Sequence, residues 1–168
     1  MRMASSQKPP LWIIGIGNTL AGDDGAGIKA LERLREHFGD HAAAFGLTFS
    51  VLCGDLYAVS DMLSPDHRFL FLDAAAGDSP GKLLTITGPH APVNAPSLHQ
   101  LDICTVMRTL ERLDICRPFP EWEVRCITID PPQRLETGLS PPVERAVSRL
   151  VAKLAREIGN GVALQNTR

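Results

Sequence analysis

The run "LWIIGI" (residues 11–16) contains no polar residue and is bounded by Pro9-Pro10 and Gly17. That is the pattern of a strand buried on both faces of a parallel sheet. After an intervening turn, Ala26, Ile28, Leu31, Leu34 and Phe38 recur at near-helical spacing, and Gly39 follows as a stop. The alternation returns in "LTFSVLC" (47–53), helical spacing in "LYAVSDMLS" (56–64) ahead of Pro65, and a second apolar run in "RFLFLDA" (68–74). A hairpin-like return through residues 77–88 supplies another strand, 99–113 reads as an amphipathic helix, and 122–130 as a strand. Residues 140–158 form the last helix, with Ser140 at its N-cap and Pro141 in the first turn.

Strands alternating with helices predict an α/β fold, a three-layer α/β/α sandwich around a twisted, mostly parallel sheet. With 168 residues and neither an internal repeat nor a linker, the chain is expected to form one domain over 1–168, with its ordered core over about 11–158. Sheets of this kind bind ligands outside the carboxyl ends of their strands, so those ends are where chemistry is expected.

Composition narrows the function. Hydrophobic residues make up 44% and charged residues 21%, ordinary globular usage. The net charge is -2 and the 17 Lys and Arg form no basic run, so no footprint for nucleic acid or anionic lipid exists. No segment has the apolar length of a membrane span or a signal sequence, and a cytoplasmic protein is expected. Cys53, Cys104, Cys116 and Cys126 include no C-x-x-C pair and read as reduced thiols.

The first strand runs into "GIGNTLAGDDGAG" (15–27). A dinucleotide fingerprint would need glycine at position 20, where this chain has Leu20, and the acids Asp23 and Asp24 would repel a pyrophosphate at the helix start. One acid suffices to cap that helix. With Asp23 as cap, Asp24 is free to act as an oxygen ligand or base in the cleft. Asp73 ends its buried strand, where a charge must be paired, placed in a cleft or bound to a cation, or else serve as a turn residue. His99 follows a proline-rich loop and reads either as a cap or as a ligand. Two carboxylates and an imidazole from separate strand or loop ends would suit a borderline divalent metal such as nickel or zinc. No G-x-S-x-G elbow or H-E-x-x-H helix offers ordinary hydrolytic machinery, and Cys53 has no evident histidine base.

Five segments in order, "GIGNTLAGDDGAG", "CGDL" (53–56), "FLDAA" (71–75), "SLHQLD" (97–102) and "GLSPPVERAV" (138–147), resemble the [NiFe]-hydrogenase maturation endopeptidases. The resemblance implies removal of the C-terminal extension of a hydrogenase large-subunit precursor, an aspartic-type endopeptidase activity. It implies catalytic and metal-binding roles for Asp24, Asp73 and His99. The nickel is implied to be carried by the substrate, and cadmium or zinc could take its place in crystals. It also implies that Gly54 and Asp55 position substrate, Gly54 by letting its backbone approach. A protein that holds the nickel-loaded precursor without cutting it is the alternative expectation, since no dedicated nucleophile separates cutter from holder.

Overall fold

The computed structural model describes residues 9–88, 102–132 and 135–161. The first apolar run is β1 (Leu11–Ile16), followed after the glycine-rich turn by α1 (Ala26–Phe38) and β2 (Leu47–Leu52). Then come β3 (Arg68–Ala76), β4 (Leu83–Thr87), α2 (Ile103–Arg112), β5 (Glu121–Ile129) and α3 (Pro141–Gly159). The sheet has five strands in the order β2-β1-β3-β5-β4. Every pairing is parallel except β4 on β5.

Both faces of this sheet are covered, as the unbroken apolar runs require. On one side Ile13, Leu70 and Leu72 pack with Leu31, Leu34 and Phe38 of α1 and Val147, Leu150 and Leu154 of α3. On the other, Ile14, Ile16, Phe69 and Phe71 meet Val106, Met107 and Leu110 of α2, with Leu56 and Val59. Each such side chain contributes about 1.5–3 kcal/mol when removed from water, which is what holds three layers together.

Three expected elements differ. The helix expected over 56–64 is a 3-10 segment, Leu56–Met62, because the chain turns extended at Leu63 ahead of Ser64-Pro65 before a longer helix can form. The strand from 77–88 is no hairpin partner of β3; both edges of β3 are occupied, by β1 and β5, so β4 pairs antiparallel with β5. The described part of the fourth predicted helix is Ile103–Arg112, capped by Asp102, whose carboxylate accepts from the Thr105 amide at 2.8 Å. Its predicted beginning, His99 included, lies outside the described residues.

Topology decides where a ligand could bind. From β1 the chain crosses through α1 to β2 on one side, while β3, β5 and β4 lie on the other side of β1. The crevice at this reversal opens at the carboxyl ends of β1 and β3.

Candidate active site

The turn after β1 is shaped by close packing. Gly17 has φ +136°, and a Cβ there would stand 2.0 Å from the carbonyl oxygen of Asp24. A Cβ on Gly27, in the first turn of α1, would stand 2.2 Å from the Leu72 carbonyl oxygen and 2.5 Å from that of Ile16. These two glycines let the start of α1 sit directly on the ends of β1 and β3, which seats Asp24 at the crevice. Their spacing therefore answers to backbone contact, and a phosphate cradle is not needed to account for it. Gly27→Ala is expected to force the helix off the strands and cost about 1–3 kcal/mol, read as an earlier midpoint in urea unfolding.

Asp23 does not cap its own helix. Residues Gly22–Gly25 form a 3-10 turn, α1 begins only at Ala26, and no side chain caps it. The Asp23 carboxylate instead accepts from the backbone amide of Ser140 at 2.6 Å and from its hydroxyl at 2.7 Å. Ser140 is the N-cap residue of α3, as the sequence predicts, but its hydroxyl is spent on Asp23. An anion beside that helix start is favoured by the helix dipole, so one acid of the pair ties α1 to α3. Two backbone bonds reinforce the tie: the Gly22 amide donates to Glu136 O at 2.8 Å and the Glu136 amide to Leu20 O at 3.0 Å.

Asp24 and Asp73 are both only 4% exposed, among the few buried charged residues described. Asp73 is not the last residue of its strand, because β3 continues through Ala76 in register with β5. It does lie at the end of the β1 pairing, which stops at Gly15 opposite Leu72. There β1 departs into its turn, leaving Asp73 on the crevice. The Ala74 amide donates to Asp73 Oδ1 at 2.8 Å, which fixes the orientation of the carboxyl group.

Asp73 and Asp102 line one small cavity of about 20 Å³ together with Cys104, Cys126, Leu84 and Val124. The chain thus resumes after the undescribed 89–101 segment beside Asp73, three residues beyond His99. Burial, with the Asp102 charge adding to it, raises the Cys104 thiol to about 12. Burial, aided by Asp73, raises the Cys126 thiol as well. All four cysteines are free thiols, and Cys53 is exposed.

Of the predicted triad, Asp24 lies in the turn between β1 and α1, Asp73 lies in β3, and His99 lies outside the described residues; among the described residues no three His, Cys, Asp or Glu groups are arranged to hold a metal. Gly54 and Asp55 follow β2, at the same end of the sheet; Gly54 has φ +82° with open space where a Cβ would be. The Asp55 carboxylate accepts from the Tyr57 amide at 2.9 Å and so shapes its own turn. Sequence reading missed the Asp23–Ser140 clasp and Asp102 as a neighbour of Asp73. No local pattern signals a bond between residues 117 positions apart.

No protein-family model matches the chain, and no curated protein matches it. Solved structures share its fold. A [NiFe] hydrogenase maturation protease HybD from Thermococcus kodakarensis is 23% identical with TM-score 0.67, the match covering 88% of this chain and 97% of that one. A [NiFe] hydrogenase maturation protease HycI from Thermococcus kodakarensis KOD1 is 19% identical with TM-score 0.68, covering 92% and 96%. The hydrogenase maturating endopeptidase HybD from E. coli is 21% identical with TM-score 0.64, covering 90% and 94%.

Proposed function

We propose that this chain is a cytoplasmic endopeptidase that removes the C-terminal extension of a [NiFe]-hydrogenase large-subunit precursor after nickel insertion. The observation that carries the proposal is the burial of two carboxylates, Asp24 and Asp73, at adjacent strand ends of the sheet's switch point. They stand on a fold shared with hydrogenase maturation proteases. A cationic metal brought by the substrate would be attracted to these carboxylates, so the site would favour the loaded precursor over the empty one.

In this reading His99 joins Asp24 and Asp73 as third ligand, and two oxygen donors with one imidazole suit a borderline divalent ion such as nickel. The peptide bond would be attacked by a water or hydroxide polarised by the substrate's nickel, with the carboxylate oxygen of Asp24 or Asp73 that does not bind the ion accepting the proton. The open space at Gly54 leaves room for a substrate backbone to approach, with Asp55 holding the turn. Free thiols suit a reducing compartment, and no described helix is long and apolar enough to cross a membrane.

Intact-mass spectrometry of a nickel-loaded precursor incubated with the purified chain tests the proposal. Loss of the mass of a C-terminal peptide is expected, and none from the nickel-free precursor. A stable complex with unchanged precursor mass would instead identify a holder that does not cut.

A further inference from the structure

The connection from β3 to β4 is tied down from two sides. Thr128 of β5, which is buried, donates its hydroxyl to Ser79 O at 2.6 Å, and its Oγ1 accepts from the Lys82 amide at 2.8 Å. The Thr128 amide donates to Lys82 O at 2.9 Å and the Gly81 amide to Thr128 O at 2.7 Å. On the other side a Cβ on Gly81, at φ +89°, would stand 2.7 Å from the Pro142 carbonyl oxygen, and Arg149 Nη2 donates to Gly81 O at 2.7 Å. The loop is thereby fixed in close contact with the first turns of α3.

Between loop and helix lies an open cleft of about 620 Å³, with Pro80, Gly81 and Lys82 along one wall and Pro142, Arg145 and Arg149 along the other. Neither Asp24 nor Asp73 lines it, so it is not part of the crevice. Its charge is one-sided. The three cations are exposed, the described ion pairs engage none of them, and no acidic side chain lines the cleft. Glu144, beside Arg145 in sequence, is engaged by Arg33 of α1 at 2.7 Å. All 19 Asp and Glu residues of the chain lie among the described residues, so the remaining segments have no acidic side chain to bring here. Arg145 and Arg149, four residues apart on one helix, repel each other, and Lys82 on the facing wall adds to that repulsion. Carboxylates from another molecule would offset all three.

The spacing selects the form of that molecule. Four residues of helical rise set Arg145 and Arg149 about 6 Å apart along α3. Alternate side chains of an extended peptide share one face and recur every 6.6–6.8 Å or so, about the same distance. The two charges of a diphosphate are held much closer than this. We propose that the cleft is a docking site for an acidic stretch of a partner protein, bound extended with alternate carboxylates on Arg145 and Arg149 and with Lys82 closing from the facing wall.

Fluorescence anisotropy of a labelled peptide of alternating Glu and Ser, titrated with the purified chain at low salt, tests the inference. Saturable binding is expected, weakening as salt rises, and none by the same peptide with Gln in place of Glu. Lys82→Glu and Arg145→Glu should each weaken binding by about tenfold, because an attraction becomes a repulsion, while Arg145→Lys should stay within about threefold of the unmodified chain. Neither Lys82 nor Arg145 holds a described side-chain bond, so both variants should keep the fold. Arg112→Glu changes the net charge equally at an exposed position at the end of α2 and should leave binding unchanged. Absence of saturable binding up to about 1 mM peptide overturns the inference. A loss as large in Arg112→Glu overturns it too, since overall charge would then be the cause. Inorganic pyrophosphate that binds more tightly than the peptide, and no longer binds Arg145→Glu, would give the cleft to a phosphate ligand instead. Self-association of the unmodified chain that Arg145→Glu abolishes, seen by sedimentation, would give it to a second copy. None of these measurements involves cleavage, so each outcome leaves the endopeptidase reading where it stands.

Discussion

Asp24→Asn and Asp73→Asn are each expected to slow removal of the precursor's tail by about a thousandfold or more, with His99→Ala following the same course. The carboxylate charge is what the site offers to a cation and to a proton, and an amide offers neither at neutral pH. The fold should hardly register the Asp73 change. Asn keeps an acceptor oxygen for the 2.8 Å bond from the Ala74 amide, so the melting temperature should stay within about 3 °C of the unmodified chain. Intact-mass kinetics beside thermal unfolding of each variant checks both halves. Undiminished cleavage by Asp24→Asn would remove that carboxylate from the mechanism.

The largest stability effect is expected away from the crevice, at Arg125. Its Nε donates to Glu123 Oε1 at 2.5 Å and its Nη2 to Glu157 Oε2 at 3.2 Å, joining β5 to α3. Arg125 and Glu123 are both buried within the sheet, whereas Glu157 keeps more contact with solvent. Arg125→Met takes from the Glu123 carboxylate its 2.5 Å ion pair in a poorly hydrated place, leaving Arg68 as the remaining nearby cation, and up to about 3–5 kcal/mol of stability should be lost. For a chain of this size that lowers the melting temperature by roughly 10 °C. Adding Glu123→Leu to Arg125→Met should restore most of it, because both charges then leave together and apolar atoms take their space. A double variant no more stable than the single one would show that packing, and not the stranded charge, sets the cost. Tail cleavage at low temperature should survive in the double variant, since these residues have no place in the crevice.

The sequence by itself determined the layers. Apolar runs at 11–16 and 68–74 could only be strands covered on both faces, and the helical spacing of 26–38 and 140–158 supplied two of the covers. It also singled out Asp73, an acid directly after a buried apolar run, and Asp24, the acid of its pair left over once one acid is assigned to capping. These are local signals, carried by neighbours within a few residues. Tertiary structure decided what depends on contacts between distant segments. Asp23 looks like the cap of its own helix, yet it serves Ser140, 117 positions away, because the 3-10 turn at Gly22–Gly25 moves the start of α1 beyond it. The short 3-10 segment at Leu56–Met62 kept a helical spacing without the length to become a helix. The pairing of β4 with β5 followed from β3 having both edges occupied. Lys82 shares a cleft with Arg145 and Arg149 only because the loop before β4 packs closely on α3. Periodicity reports which face a residue must bury, but chain reversal and close backbone approach choose which distant group it meets there.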